Sequence, residues 1–263
     1  IASVEVVLAA ARSGFLGFFG AAGLSLERVE QAINELQDKI PDLPFGFNLI
    51  HSPNEPDIEA GVVDLYLRKG IRLVEASAYL NLTLPVVKFR VSGIYRDPSG
   101  KVMTPNRIIA KVSRVEVATR FLSPPPETML RKLVELGVIT EEQLAMASEI
   151  PMVDDLTAEA DSGGHTDNRP AIALFPSMMA LRDRLQSEFK FQQHVRIGAA
   201  GGISTPAAAA AAFAMGAAYI VTGSVNQCCL EAGTCDAVRR MLCQADQADI
   251  AMAPAADMFE MGV

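Results

Sequence analysis

The chain has 263 residues, a formal charge of −8, half of its residues hydrophobic and no tryptophan. That apolar content excludes disorder, and the acidic balance argues against nucleic acid or an anionic membrane as the main partner. The length suits one large core of the size of a single α/β barrel.

Short apolar runs alternate with amphipathic stretches, which is the pattern of a parallel sheet with crossover helices. Residues 2–13 read as a helix and Phe15 to Ala22 (FLGFFGAA) as a buried strand. Ser25 is placed to cap a helix over 26–40. Phe45 to Ile50 is the next strand, followed by a helix over 55–69, a strand from Leu73 to Ser77 and a helix over 83–91. Asp97-Pro-Ser-Gly100 marks a turn within a small hairpin, Arg107 to Val112 is a strand, and Ser113 opens a helix over 114–121. The segment 123–150 breaks the rhythm. It starts Ser-Pro-Pro-Pro126 and holds two short helices, 127–136 and 140–149, which reads as an inserted lid or subdomain or as a plain connector. The rhythm resumes with a strand from Leu156 to Asp161, a helix over 176–188, a strand over 196–200, a helix over 206–215, a strand over 218–223 and a helix over 231–244.

These elements give seven strands. An eighth, preceding residue 1, would close a (β/α)8 TIM barrel, so the first strand is expected to lie outside this chain, as if both ends were cut from a longer protein. Residues 1–122 then form the first part of the barrel, 123–150 the helical insertion and 151–263 the second part. An open doubly wound sheet is the alternative, but no Gly-x-Gly-x-x-Gly follows the first strand. The uncharged stretch from Ile197 to Leu230 is rich in alanine and interrupted by Gly-Gly and Pro206, so it reads as strand–helix–strand and not as a membrane span. Cys228, Cys229, Cys235 and Cys243 lack a Cys-x-x-Cys pair and a nearby histidine, which points to reduced cytoplasmic thiols and to no metal.

In such a barrel, ligand-facing residues lie at the C-terminal ends of strands. The most informative pair there is Ile197-Gly-Ala-Ala-Gly-Gly-Ile203 and Ala218-Tyr-Ile-Val-Thr-Gly-Ser224. Two glycine-terminated strands at this spacing can hold one phosphate on main-chain N–H groups, or can simply be tight turns. Asn48 is a polar residue inside an apolar run, Glu75 and Ser77 end a strand, and Lys111 among Ile108, Ile109, Ala110 and Val112 is aimed into the mouth, where a cation would favour an anionic flavin or phosphate. Glu159 and Asp161 form an acid–base pair or, on the favoured reading, balance Lys111 and Arg169. His165 follows Gly163 and Gly164 and can donate to a carbonyl or deliver a proton near neutral pH. His51 and His194 have no such setting, and His194 reads as solvated. A Gly-x-Ser-x-Gly elbow and a Walker-type loop are both missing, so hydrolase and nucleotide-triphosphatase readings are poor.

With these residues in place, the chain resembles the trans-acting enoyl reductases of bacterial polyketide and polyunsaturated fatty acid synthases, the PfaD family, within the flavin-dependent nitronate monooxygenase group. Five strings carry the resemblance: Ala160-Asp-Ser-Gly-Gly-His-Thr-Asp-Asn-Arg-Pro170, Val221-Thr-Gly-Ser-Val-Asn-Gln227, Ala251-Met-Ala-Pro-Ala-Ala-Asp-Met-Phe259, Leu16-Gly-Phe-Phe-Gly-Ala-Ala-Gly23 and Phe47-Asn-Leu-Ile-His-Ser-Pro-Asn54. The resemblance implies a TIM barrel with FMN at its mouth, the phosphate on Gly201, Gly202, Gly223 and Ser224. Asn48, Glu75, Lys111 and Gly164 would lie around the rest of the cofactor, and His165 would be the active-site histidine. It also implies NADPH as reductant, an enoyl thioester on an acyl carrier protein as substrate, segment 123–150 as a cover or carrier dock, and room for a homodimer. A nitronate monooxygenase, a catalytically silent synthase component and a non-flavin phosphate-binding barrel are the competing readings.

Overall fold

A computed structural model of the chain describes residues 2–51, 53, 55–164 and 166–253. Helix α1 (Val4–Arg12) leads into β1 (Gly17–Phe19), α2 (Leu26–Lys39), β2 (Phe45–Ile50), α3 (Pro56–Lys69), β3 (Leu73–Ser77) and α4 (Leu84–Val91). A hairpin of β4 (Tyr95–Arg96) and β5 (Val102–Met103) precedes β6 (Arg107–Val112) and α5 (Val115–Leu122). Then come α6 (Glu127–Glu135), α7 (Glu141–Ala147), β7 (Asp155–Glu159), α8 (Ala171–Phe189), β8 (Arg196–Ala200), α9 (Pro206–Ala214), β9 (Ile220–Val221) and α10 (Asp236–Gln244).

Seven strands form one parallel sheet in the order β1-β2-β3-β6-β7-β8-β9, the curled sheet of an α/β barrel, with β1 and β9 at its edges among the described residues. Successive side chains of a strand point to opposite faces. Phe47, Leu49, Val74, Ala76, Ile108, Ala110, Leu156, Ala158 and Ile197 are all buried in the main core, so this set faces the helices. The intervening positions, among them Asn48, Glu75, Lys111, Thr157 and Glu159, form the inner face. Helix starts follow the caps that the sequence offers: Ser25, Thr83, Thr140 and Thr205 each accept an N–H of the first turn.

Beneath the strand starts lies a buried polar brace. Arg90 on α4 is fully buried; its Nε donates to the Pro151 carbonyl at 3.1 Å and its Nη1 to the Asn106 carbonyl at 3.0 Å and to Asp154 Oδ2 at 2.6 Å. Asp154 also accepts from the Ile108 N–H at 3.0 Å and from Gln193 at 2.9 Å, which joins β6, β7 and the entry to β8.

Several expectations change. The first strand is shorter than Phe15 to Ala22, because the Phe15 N–H donates back to Ala10 at the end of α1 and its side chain is exposed. Arg114, not Ser113, is the residue at the N-cap of α5, since the Ser113 hydroxyl goes to Asp167. The strand expected over 156–161 runs Asp155–Glu159, the strand expected over 218–223 contracts to β9, and the last helix begins at Asp236. Helix α8 starts after Pro170, so Pro176 lies inside it and is not its first residue. Segment 123–150 holds α6 and α7. It joins the end of α5 to the start of β7 and packs on α4 and the hairpin, with Arg96 paired to Glu149 at 2.7 Å and Gln143 donating to the Ile94 carbonyl at 3.3 Å.

Arg90→Ala should destabilise the fold by about 3–5 kcal/mol, since it leaves Asp154 charged and without its cation in the interior. Urea unfolding measures this, and a loss under about 1 kcal/mol would show that the brace carries little of the sheet's stability.

Candidate functional site at the strand ends

Three loops meet at the C-terminal ends of β7, β8 and β9. Gly201 has φ +92°, and a Cβ there would lie 2.4 Å from the Ala160 carbonyl oxygen. Its bare Cα is what lets the loop after β8 press on the end of β7. Gly202 also has positive φ, +67°, but a Cβ there would meet nothing closer than the Asp161 carbonyl at 3.8 Å. Gly164 and Gly223 border open space, whereas a Cβ on Gly163 would lie 2.6 Å from Ser224 Oγ. The structure thus brings Gly164, Gly201, Gly202, Gly223 and Ser224 to one place. Of these, Gly201 serves chain packing, while Gly202 and Gly223 leave room for a ligand. Asn226 fixes the last loop, its Nδ2 donating to the Thr222 carbonyl at 2.9 Å.

Beside these loops, the inner face carries the second group of expected residues. Asn48 Nδ2 donates to Glu75 Oε2 at 2.7 Å and to Ser77 Oγ at 2.8 Å. Asn48 is held from behind, because buried Tyr66 donates to its carbonyl at 2.9 Å. Lys111 Nζ lies 2.6 Å from Glu159 Oε1, the balance read from the sequence. Asp161 accepts from Thr166 Oγ1 at 2.9 Å, and its N–H donates to the Arg169 carbonyl at 2.8 Å. Burial pushes the Glu75 carboxyl above its ordinary range; Lys111 and the Asn48 hydrogen bond oppose this, and the Glu159 charge adds to it. Ala78, next in the chain after β3, holds a left-handed backbone at φ 62°, a strained conformation for a residue with a Cβ. His165 lies outside the described residues, as do Ser52, Asn54 and the end of the Ala251–Phe259 string.

Sequence reasoning missed four groups. Tyr219 shares a hydrogen bond with Thr157 at 2.9 Å, and its ring lies on the backbone of Gly198, where a Cβ would come within 2.2 Å. The one sign of this was a glycine in mid-strand opposite a tyrosine. Asp167 forms a two-point ion pair with Arg114 (3.0 and 2.8 Å) and accepts from the Ser113 hydroxyl, which ties the loop after β7 to the end of β6. The Arg114 hydrogen bond, despite partial burial, holds the Asp167 carboxyl down at about 2. His51 Nδ1 lies 2.9 Å from Oε2 of buried Glu59, and its ring stacks on Tyr79. Glu59 also accepts from Tyr79 at 2.9 Å and from Thr83. Finally, a cavity of about 300 Å³ opens beside Asn48, lined by Leu24, Ile50, Ile58, Val62 and Glu59. His194 is exposed, with Nε2 3.1 Å from Arg182. The four cysteines are unbridged, and no helix among the described residues is long and apolar enough to cross a membrane.

The arrangement offers open backbone at Gly202 and Gly223, a lysine locked to a glutamate, and a carboxyl inclined to hold its proton. Comparison with known proteins fits this chemistry. A family described as nitronate monooxygenase matches residues 1–259. The chain is 51% identical over all of its length to one component of the polyunsaturated fatty acid synthase of a Thraustochytrium species, and 48% identical to the polyketide biosynthesis protein PksE of Bacillus subtilis. It spans 18% and 34% of these two proteins. Among solved structures, the enoyl reductase domain of MlnA from the macrolactin biosynthesis cluster of Bacillus amyloliquefaciens superposes with a TM-score of 0.95 at 41% identity, over 100% of this chain and 59% of that one.

Asp167→Asn tests the clamp on the loop after β7. A carboxyl depressed in the folded state adds stability above its unfolded value near pH 4, and that stability is lost as pH falls toward 2. The variant should be about 1–2 kcal/mol less stable at neutral pH, allowing for the half-open setting, and should converge with the parent protein between pH 4 and 2. Equal stability of the two proteins at neutral pH would remove the ion pair from the account.

Proposed function

Because the chain belongs to the nitronate monooxygenase family, we propose that it acts as a flavin-dependent enoyl reductase, taking NADPH as reductant and an enoyl thioester on an acyl carrier protein as substrate. The observation that carries this reading is the meeting of Gly202, Gly223 and Ser224 beside Asn48, Glu75 and Lys111, in a chain 41% identical to an enoyl reductase domain. Its relatives in polyketide and polyunsaturated fatty acid synthesis support a carrier-bound substrate.

A flavin is the cofactor of this family in general, and the residues present fit FMN. The open space at Gly202 and Gly223 and the hydroxyl of Ser224 suit a phosphate; Gly201 lets the β8 loop press on the end of β7, and Gly163 lets the β7 loop press on Ser224. Lys111 would face the ring system, where its charge favours electron-rich states, while Glu159 fixes its ammonium in place. When bound, the flavin supplies hydride transfer from NADPH to the β-carbon of the enoyl group. The chain's own work is orientation and the proton. His165, in its glycine loop, would deliver a proton to the α-carbon, and the Asp167–Arg114 clamp would hold that loop beside the mouth. Oxidation of a nitronate is the second reading, favoured by the description of the family itself.

Purified protein should show flavin absorbance that bleaches with NADPH under anaerobic conditions and returns on adding a crotonyl thioester. Return only with oxygen and a nitronate would favour the second reading; a colourless protein would favour a silent synthase component or a non-flavin barrel. His165→Ala should lower enoyl reduction by about 100-fold with flavin retained. Unchanged turnover would take His165 out of the chemistry. Gly202→Asp should expel the flavin: aspartate tolerates the left-handed backbone better than most side chains, so the loss would report its bulk and charge against the phosphate. A fully loaded Gly202→Asp protein would move the phosphate elsewhere.

A further inference from the structure

Glu75 is the one group of the inner face whose hydrogen-bonding is left half complete among the described residues. Its Oε2 accepts from Asn48 at 2.7 Å and, more weakly, from Ser77 at 3.4 Å. Its Oε1 is shut off from water and has no partner among the described residues. Among the described residues, its neighbours on this face are neutral or already paired. Asn48 and Ser77 are neutral, Lys111 on β6 is 2.6 Å from Glu159 on β7, and Tyr219 beside β9 is engaged with Thr157. The intervening strand β8 adds Arg196, which is paired to Asp155 on β7 at 2.6 Å, and otherwise only Gly198 and Ala200. Two carboxyls therefore share one lysine, and Glu159 makes the close contact with it. An ionised Glu75 would be a buried anion with one bare oxygen, which is costly. A proton on Oε1 resolves both problems and creates a donor that has no acceptor among the described residues.

We propose that Glu75 serves the site as a neutral carboxylic acid whose Oε1–H donates to an acceptor, a carbonyl oxygen or ring nitrogen, of the bound ligand. This rests on the flavin reading for the identity of that ligand. The direction in which burial moves the Glu75 carboxyl agrees with it. Asn48 and Ser77 then act as positioning residues, since they occupy Oε2 and so leave Oε1 as the oxygen that carries the proton.

Infrared difference spectra of the protein against Glu75→Gln test this without reliance on turnover. At neutral pH the unmodified protein should show a carboxylic-acid C=O band that the variant lacks. The band should shift on adding FMN if the acceptor lies on the flavin ring, or only on adding a crotonyl thioester if the acceptor is the substrate carbonyl. Affinity for the ligand that moves the band should change by less than about threefold in Glu75→Gln, whose amide N–H can also donate, and should fall by about tenfold or more in Glu75→Ala. Absence of the acid band, a band that neither ligand shifts, or equal losses in the two variants would overturn the proposal. A protein that binds no flavin at all would overturn the flavin reading instead, and the acid band would still report on Glu75.

Discussion

The register between β6 and β7 is the constraint on which the site depends. Asp154 enters it from below: one of its oxygens takes both the Arg90 guanidinium and the Ile108 N–H, so the first residues of β6 and β7 are pinned together. The ladder then runs upward from Ile109 opposite Asp155 to Lys111 opposite Thr157, and Glu159 lies within reach of Lys111 at the top. Strand side chains alternate with a period of two, so a slip of one residue would turn Lys111 toward the helices and Ala110 toward the mouth. The apolar outer set, including Ile108, Ala110, Leu156 and Ala158, opposes that slip, because each is buried under a helix. A salt bridge in the interior and a layer of aliphatic side chains thus enforce the same alignment.

Above that alignment, the loops are set by close packing and not by side-chain reach. Gly201 lets the β8 loop touch the carbonyls at the end of β7, and Gly163 lets the β7 loop touch Ser224. The Asp167–Arg114 pair secures the same β7 loop on its other side. Three connections that would otherwise move independently become one surface, and this is the condition for presenting fixed dipoles to a ligand.

The sequence made the middle of the sheet legible and blurred its edges. Strands β2, β3, β6 and β8 are bounded by turn residues and buried on both sides by neighbours, so their apolar runs coincide with their hydrogen-bonded lengths. Among the described residues, strands β1 and β9 have a neighbour on one side only, and their apolar runs extend beyond the paired residues. The helix expected over 176–188 starts earlier, because Pro170 stands just before the first turn of α8. Segment 123–150 reads as a lid, a subdomain or a plain connector because its length and prolines mark an insertion, and composition does not choose among the three. Among the site residues, Asn48, Glu75 and Lys111 were visible as polar interruptions of apolar runs. Tyr219 and Thr157 were not, because each fits an apolar strand and reveals its polar atom only when the other strand is beside it. The Asp167–Arg114 clamp spans more than fifty residues, and no local pattern encodes it.

Charge balance explains why the glycines matter more here than the cations. At the mouth, Lys111 is paired with Glu159 and Arg114 with Asp167, each at under 3 Å. Each of these cations is therefore already largely neutralised, in keeping with a chain whose net charge is −8. Under the proposed reading, an anion at this surface would draw its stabilisation from oriented main-chain N–H groups, which carry partial charge and no counter-ion of their own. Gly202 and Gly223 put no side chain into the space beside them, so the backbone there can be approached closely. Under the same reading the paired lysine has a different use: with its ammonium fixed by Glu159, it would stabilise charge that develops on a bound ring without having to reorganise. Backbone would then serve the resting anion and locked side chains the transient charge.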